Sequence, residues 1–258
     1  EAPEHVADDI AILSFIRENT KMKRNAAVPW TAPTAISVSP WTKKGAQMKN
    51  RFFSLILALS LLLSCLPAVV AEESLPFTDV SSDDWYYESV AYVYEQGLMD
   101  GVSSYSFLPQ ALTSRAMVVT VLFRAEGEPS ERGLGFTDVP DGLWYTEAIR
   151  WAQGIGLALG YGDGTFLPDQ PMSRQEMVTV FFRYAQYKGL PLAENADLEQ
   201  FSDCAQIAAY AMDALNWAVS VGLVNGVSRE LLLPGGNSDR GQLAAVLARL
   251  HVLLALKE

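Results

Sequence analysis

Three arginines stand at corresponding points of a pattern that recurs along this 258-residue chain. Arg115 and Arg174 are 59 residues apart, and Arg240 follows 66 residues later. Each precedes an apolar stretch with helical spacing, which places it near the predicted N-terminus of a helix. A guanidinium holds a carboxylate through two parallel hydrogen bonds, and a helix N-terminus favours anions through its free N–H groups and its dipole. In a chain with 30 acidic and 19 basic side chains and a net charge of −11, these arginines are suited by type and spacing to bind an anion.

The rest of the composition argues against most catalytic chemistry. The chain has two cysteines and two histidines, and His5 and His251 lie at opposite ends, so neither a four-cysteine zinc site nor a multi-histidine metal centre is expected. It contains no serine-hydrolase elbow and no glycine-rich phosphate loop with a lysine. Its carboxylates are scattered through the repeats, whereas a glycosidase needs two that face each other across a cleft. The acidic balance also disfavours nucleic acid as a partner. We therefore predict a protein without catalytic activity or cofactor.

The recurring pattern is an internal repeat. Phe-Thr-Asp-Val occurs at 77–80 and at 136–139, and Phe-Leu-Pro occurs at 107–109 and at 166–168, both with an offset of 59 residues. A third copy follows at an offset of about 66 residues and is more degenerate, because Tyr210 replaces the tryptophan that the first two copies share. Constant offsets over many landmarks indicate three copies of one unit.

Each unit predicts two helices joined by a loop. The first helices are expected at Trp85 to about Gln96, Trp144 to about Gln153 and Tyr210 to about Ser220. Each should end at a glycine in the left-handed C′ position, namely Gly97, Gly156 and Gly222. The second helices should begin after serine N-caps at Ser114, Ser173 and Ser238. One unit buries too little apolar surface to be stable alone, so we predict an all-α fold in which three helix-loop-helix repeats share one core.

The N-terminal part of the chain is typical of a targeting segment. Residues 48–71 have a positive start, an apolar run and small residues before the cleavage point, which is the order of a secretory signal peptide. The apolar run is shorter than the roughly 20 residues of a membrane span. An uncleaved anchor and lipidation of Cys65 are the alternatives, and no other membrane contact is expected. We expect residues 1–47 to be a non-native or disordered leader, with translation starting at Met48. Residues 72–258 then hold 25 acidic and 11 basic side chains, a net charge of −14.

These landmarks resemble the repeat of the S-layer homology domain family. That repeat runs F-x-D-V, W-x/Y-x-x-A-I, G-x-x-x-G and F-x-P, followed by a helix start similar to ITRAE, and the second copy here matches it best. The resemblance covers about residues 75–255, with copies at 75–130, 134–190 and 199–255. It implies a pseudo-threefold helical bundle that is secreted to the bacterial cell wall or surface.

The same resemblance implies a non-catalytic anchoring function. The family binds secondary cell-wall polysaccharide, often through pyruvylated sugars, and in some bacteria a glycan linked to peptidoglycan. A pyruvyl ketal carries a carboxylate, which suits the recurring arginines. A structural adaptor, or the truncated anchor of a larger surface protein, is the alternative, and a wall-polysaccharide hydrolase is less favoured.

The resemblance implies eight polysaccharide-binding candidates, which are Arg115, Arg174, Arg240, Glu176, Trp85, Trp144, Gly101 and Gly160. Other interpretations stay open, because the tryptophans also suit the core and the glycines also suit turns. The deeper arginines of the second helices are expected to be structural, namely Arg124, Arg183 and Arg249. The aspartates of the Phe-Thr/Ser-Asp motifs are expected to cap helices, namely Asp79, Asp138 and Asp203. The glutamate of the helix start is Met117 in the first copy and Gln242 in the third, so the grooves beside the second repeat are expected to bind best.

Overall fold

The structure is a computed structural model that describes residues 75–192 and 196–256. The α-helices in these ranges are α1 Tyr87–Glu95, α2 Arg115–Ala125, α3 Thr146–Gly154, α4 Arg174–Tyr187, α5 Met212–Ser220 and α6 Arg240–Ala255. Three short 3-10 helices precede α5, at Leu198–Gln200, Cys204–Gln206 and Ala209–Ala211. Strand pairing in the described ranges is limited to isolated bridges, so the predicted all-α class is confirmed for them. The predicted leader at 1–47 and signal peptide at 48–71 lie outside the described residues. None of the described helices is long and apolar enough to cross a membrane.

The first helix of each repeat ends in the way that the glycines predict. The three C′ glycines have φ values of +67°, +74° and +68°, at Gly97, Gly156 and Gly222. In α1 the Gly97 N–H donates to the Tyr94 carbonyl (3.0 Å) and the Leu98 N–H donates to the Val93 carbonyl (2.9 Å), so two terminal carbonyls gain partners. A residue with a Cβ atom is disfavoured in this left-handed conformation, which explains the recurring glycine.

The second helices begin at caps, but one predicted cap is wrong. Ser114 and Ser173 are the N-caps of α2 and α4, and each side chain accepts the N–H of the third helical residue. In the third repeat the cap is Asp239, whose Oδ1 accepts from the Gln242 N–H (2.8 Å). Ser238 lies one residue earlier, in register with a buried core position of the other repeats, and is itself fully buried. Serine and aspartate are both good N-cap residues, and packing of the preceding segment decides between these two neighbours.

Each second helix packs against the first helix of the next repeat. Helix α2 contacts α3, α4 contacts α5, and α6 contacts α1. The buried Trp151 ring of α3 lies 5.7 Å from the Phe123 ring of α2, and Trp217 of α5 stands in the same relation to α4. Between α6 and α1, a hydrogen bond of 2.6 Å joins His251 Nδ1 and Tyr92 Oη. One core of buried side chains therefore runs through all three repeats.

The segments before the second helices join in a closed cycle of backbone hydrogen bonds. The Thr113 N–H donates to the Ser238 carbonyl, the Ser238 N–H donates to the Met172 carbonyl, and the Met172 N–H donates to the Thr113 carbonyl, each at 2.9 Å. All three residues are buried, so each bond satisfies polar groups that would otherwise be costly to bury. The cycle ties the third repeat back to the first.

The aspartates of the Phe-Thr/Ser-Asp motifs hold the loop of their own repeat, so their predicted role as helix caps is wrong. Asp138 accepts the Phe166 N–H at Oδ1 (2.8 Å) and the Leu167 N–H at Oδ2 (2.7 Å). Asp79 and Asp203 hold the corresponding pairs of N–H groups in the first and third repeats. The second residue of each pair has a left-handed backbone, with φ of 55°, 56° and 51° at Leu108, Leu167 and Leu233. A carboxylate with two acceptor oxygens stabilises a conformation that leucine disfavours.

We expect the contribution of Asp79 to stability to disappear in acid. Burial alone raises its pKa, but hydrogen bonds from the Ser106 hydroxyl and the Phe107 and Leu108 amides bring the pKa below the ordinary value of 3.8. A depressed pKa means that the contribution is fully present above the unfolded-state pKa and is lost as the pH falls through the folded-state pKa. The free energy of unfolding of the Asp79→Asn variant should therefore lie below that of the wild type at pH 7 by about 1 kcal/mol and converge with it as the pH falls below the folded-state pKa. Urea unfolding at stepped pH measures this, and a constant difference at every pH would contradict it.

Candidate functional site

The three recurring arginines connect neighbouring repeats. Each donates its Nε–H to a main-chain carbonyl in the loop of the next repeat: Arg115 to Phe166 (2.8 Å), Arg174 to Leu232 (2.9 Å) and Arg240 to Phe107 (2.8 Å). The acceptor residue is in each case held by the aspartate of its own repeat. Sequence analysis placed these arginines correctly at helix starts, and the structure shows that each stands at a junction between repeats.

The N-termini of the second helices are not free to bind an anion. At the start of α4, the Arg174 N–H donates to the Gly236 carbonyl (2.8 Å) and the Gln175 N–H donates to the Pro234 carbonyl (3.0 Å). The first two N–H groups of α2 and α6 are donated to the next repeat in the same way, and the cap takes the third. The expected contribution of free helix N–H groups is therefore wrong, because the neighbouring repeat uses them. Any anion in these places must be held by side chains.

A groove opens beside Arg115, between α2 and the second repeat. Its volume is about 460 Å³, in the range of small-ligand sites. We call it the Arg115 groove, and its polar lining comprises Arg115, Tyr161, Glu176, Thr179, Arg183 and Tyr210. These side chains come from all three repeats. Of the eight sequence candidates, three line this groove, namely Arg115, Glu176 and Gly160.

The Arg115 guanidinium is fixed by aromatic rings on its faces. Its central carbon lies 4.7 Å from the centroid of the Tyr161 ring and 4.7 Å from that of the Phe166 ring. Such contacts orient a guanidinium while leaving its edge to donate hydrogen bonds. Among the described residues, the only acceptors beside it are the Phe166 carbonyl at Nε and the Glu176 carboxylate, whose Oε1 is 3.6 Å from Nη1. Nη2 has no acceptor in the described part of the chain.

The Glu176 carboxylate is shared with a helix cap. Its Oε2 accepts from the Ser173 N–H (2.9 Å) and the Ser173 hydroxyl (2.6 Å), which forms a reciprocal capping box at the start of α4. This keeps the other oxygen near Arg115 at a distance longer than a hydrogen bond. Because of this distance, Glu176 neutralises Arg115 only in part. The same carboxylate also affects Tyr210, since burial and then the negative charge of Glu176 raise the pKa of the Tyr210 phenol, which therefore remains protonated.

Arg183 is a groove residue that the sequence analysis assigned to structure. It lies two turns after Glu176 on the same helix, and its Nη1 is 3.4 Å from the Leu157 carbonyl. Burial and then the positive charge of Arg115 lower the pKa of Arg183, although a guanidinium keeps its charge in proteins. The groove thus brings two like charges near each other, and one carboxylate, that of Glu176, also lines it. The seven-residue spacing of Glu176 and Arg183, which is two helical turns, is the sequence signal that could have placed both side chains on one face of the helix.

The other sequence candidates lie elsewhere. Arg174 and Arg240 are buried, with exposed fractions of 9% and 8%. Trp85 and Trp144 are not in the core, because 62% and 59% of their surfaces are exposed and each packs edge-on against the tyrosine that follows it.

Gly101 is required by packing, since a Cβ atom there would lie 2.4 Å from the Phe77 ring. Gly160 stands in the same relation to the Phe136 ring and also borders the Arg115 groove.

The chemistry available in the groove is recognition of an anion. Two guanidinium groups, two phenols and one carboxylate line it, a set that donates hydrogen bonds to a negatively charged group and offers rings to an apolar one. In the described ranges no three His, Cys, Asp or Glu side chains cluster in a way that would hold a metal ion.

Comparison with known proteins identifies the repeats. The family model of the S-layer homology domain matches residues 76–116, 135–178 and 200–244, together half of the chain. The chain is 28% identical, over 78% of its length, to a cell surface protein of Thermoanaerobacter kivui, and 25% identical over 78% to the surface-layer 125 kDa protein of Lysinibacillus sphaericus. An endoglucanase of Bacillus sp. (strain KSM-635) is 27% identical over 76%. The chain spans 25%, 17% and 22% of the lengths of these three relatives. On the strength of the three matched repeats, this chain belongs to the S-layer homology domain family.

Proposed function

We propose that this chain is a non-catalytic anchoring module that binds an anionic group of cell-wall polysaccharide in the Arg115 groove. The observation that carries the proposal is the presence of Arg115 and Arg183 in one groove with a single carboxylate, that of Glu176. Residues 72–258 carry a net charge of −14, so a positively charged groove is a local exception. Two guanidinium groups in one groove repel each other, and a negatively charged ligand would offset this repulsion.

The proposed ligand group is the carboxylate of a pyruvyl ketal. A carboxylate accepts two parallel hydrogen bonds from the edge of a guanidinium, and Nη2 of Arg115 has no acceptor among the described residues. The ketal also has a methyl group and a sugar ring, which suit the exposed aromatic faces of Tyr161 and Tyr210. The partner is therefore secondary cell-wall polysaccharide or a glycan linked to peptidoglycan.

The comparisons support a location at the cell surface. The relatives include a cell surface protein, a surface-layer protein and an endoglucanase, and the chain matches only a part of each. A segment shared by proteins with such different names suits a module that attaches each of them to the same structure. We infer that this chain is secreted and held at the cell wall, either as an adaptor or as the anchoring part of a larger protein.

The closed cycle of contacts supports a pseudo-threefold arrangement of the repeats at 75–130, 134–190 and 199–255. The helix pairs and the Nε bonds of the arginines pass from each repeat to the next, and the backbone N–H groups of Thr113, Met172 and Ser238 each donate to the repeat before. Hydrolysis is less favoured, because the Arg115 groove is lined by one acidic side chain of the described residues and a glycosidase of the usual kind needs two.

We expect Arg115→Gln to weaken binding of the chain to purified cell walls by about 10-fold or more, because a charge-assisted fork is lost. Co-sedimentation with walls measures the bound fraction, before and after mild acid removal of pyruvyl ketals. Arg124→Gln is the matched control, since Arg124 is on the same helix but pairs with Asp100 at 3.1 Å outside the groove. Equal binding to both wall preparations would contradict the pyruvyl ligand, and unchanged binding of Arg115→Gln would contradict the site.

A further inference from the structure

We propose that the chain has one ligand-binding groove and not three, and that Arg183 acts beside Arg115 as its second ligand-binding cation. This inference rests on the proposed function and specifies its stoichiometry. The three junctions between repeats correspond residue by residue through the offsets of 59 and 66, so their differences can be compared directly. They differ at the arginine's hydrogen-bond partners, at the residue corresponding to Glu176 and at the aromatic position of the loop.

The arginines differ in the donors that remain available rather than in burial. The side chain of Arg115 is 11% exposed, close to the values of Arg174 and Arg240. Only the Nε–H of Arg115 makes a hydrogen bond of normal length to a described residue. The number of occupied nitrogens, and not accessibility alone, therefore distinguishes the three junctions.

At the junction of the second and third repeats, the protein itself occupies the arginine. The three nitrogens of Arg174 donate to the Leu232 carbonyl (2.9 Å), Gln242 Oε1 (2.9 Å) and the Asn225 carbonyl (3.1 Å). Gln242 is held in this orientation because its Nε2 donates to Asp239 Oδ2 at 2.9 Å, which turns the amide oxygen towards Arg174. A ligand carboxylate would have to displace a bond that the cap of α6 keeps in place. Gln242 stands where the Arg115 groove has Glu176. All three Arg174 nitrogens therefore bond within the protein, and we expect no ligand at this junction.

At the junction of the third and first repeats, the carboxylate of Asp100 already pairs with Arg124, one of the two arginines there. Arg240 donates Nε–H to the Phe107 carbonyl and Nη2–H to the Asp100 carbonyl, both at 2.8 Å. The Asp100 side chain pairs with Arg124 at 3.1 Å, and Arg124 corresponds to Arg183 of the Arg115 groove. An incoming anion would meet the negative charge of Asp100 and compete with it for Arg124. In the Arg115 groove the corresponding residue is Leu159, which carries no charge.

The Arg115 groove also has an aromatic residue that the other junctions lack. Tyr161 covers one face of the Arg115 guanidinium, and the corresponding residues are Val102 and Val227. Arg183 contributes positive charge to the groove while its only described hydrogen bond, to the Leu157 carbonyl, is long at 3.4 Å. Two guanidinium groups with unused donors, one rigid ring and an uncharged position at 159 together fit a single carboxylate-bearing sugar.

The experiment is calorimetric titration of the full chain with a methyl glycoside that carries a 4,6-O-linked pyruvyl ketal. We expect one mole of probe to bind per mole of chain, and the glycoside without the ketal to bind at least about 10-fold more weakly. Arg183→Gln should weaken binding by about 10-fold. Arg249→Gln is its matched control, because Arg249 holds the Leu223 carbonyl of the third repeat as Arg183 holds that of Leu157, and it should leave affinity and stoichiometry unchanged.

A second set of three variants does not depend on buried residues. Tyr210→Ala should weaken binding, while Trp85→Ala and Trp144→Ala, which occupy the same repeat position and are equally exposed, should not. A stoichiometry of two or three, or loss of affinity in Arg249→Gln or Trp85→Ala, would overturn the single groove while leaving the anchoring function intact. If the chain sediments with walls but does not bind the probe, the pyruvyl ligand and the inference both fail. If it does not sediment with walls, the anchoring function itself fails.

Discussion

Replacing Asp203 by alanine is expected to lower the free energy of unfolding by about 3–4 kcal/mol, because the change removes a buried carboxylate that holds two main-chain N–H groups. Asp203 is 4% exposed and accepts from Leu232 N–H (3.0 Å) and Leu233 N–H (2.8 Å). The Leu232 N–H would be left without a partner away from water, and Leu233 would lose the support of its left-handed backbone at φ 51°. Urea unfolding followed by circular dichroism gives the difference directly.

The second repeat supplies the control for this prediction. Asp138→Ala removes the same two hydrogen bonds from Phe166 and Leu167, but Asp138 is only half-buried. Water can reach the donors there, so we expect a loss of about 1–2 kcal/mol. A loss for Asp138→Ala as large as that for Asp203→Ala would show that burial does not govern the effect.

Replacing Arg174 by alanine is expected to destabilise the chain by about 3–5 kcal/mol. Its three nitrogens bond to three residues of the third repeat, and those carbonyl and amide oxygens would lose their partners. Arg174 is a polysaccharide-binding candidate in the sequence analysis, and replacing such a residue should remove ligand binding and leave the helices intact. The geometry changes that expectation, because Arg174 joins two repeats and lies outside the proposed ligand groove.

Two further variants separate structure from binding at this position. Arg174→Lys keeps the charge but lacks the planar fork, so it should restore less than half of the lost stability. Arg115→Gln loses one hydrogen bond of normal length and should destabilise by about 1–2 kcal/mol while reducing wall binding. If Arg174→Ala unfolds at the same urea concentration as the wild type and no longer binds walls, Arg174 belongs to the ligand site and the assignment here is wrong.

Local features of the chain could be predicted because each depends on neighbours in sequence. The glycine that ends each first helix follows from the left-handed conformation of a C′ residue, and the structure confirms it at Gly97, Gly156 and Gly222. The caps of α2 and α4 follow from the affinity of a serine oxygen for helix N–H groups. The cap of α6 was predicted one residue too early, because Ser238 and Asp239 both suit the role locally. Only packing shows that Ser238 faces the core.

Other assignments failed or changed because they depend on contacts between residues that are distant in sequence. The aspartates of the Phe-Thr/Ser-Asp motifs look like caps in sequence, yet Asp79, Asp138 and Asp203 bind loop amides 28 to 30 residues away. The free N–H groups expected at helix starts are used by the next repeat. Arg183 was assigned to structure because sequence analysis does not show that α4 turns it towards Arg115 across a groove.

The sequence by itself determined the three repeats, the helical class and the recurring arginines, since these follow from periodicity and from residues a few positions apart. The tertiary structure alone decided what each arginine does. The three arginines are equivalent in sequence but differ in the residues that the next repeat places at two corresponding positions. These residues are Glu176 and Leu159 for Arg115, Gln242 and Asn225 for Arg174, and Met117 and Asp100 for Arg240. These residues act on an arginine of the preceding repeat, so their effect exists only once the chain has folded. Folding thereby brings Arg115 and Arg183 together in one groove, which is the proposed site for an anion.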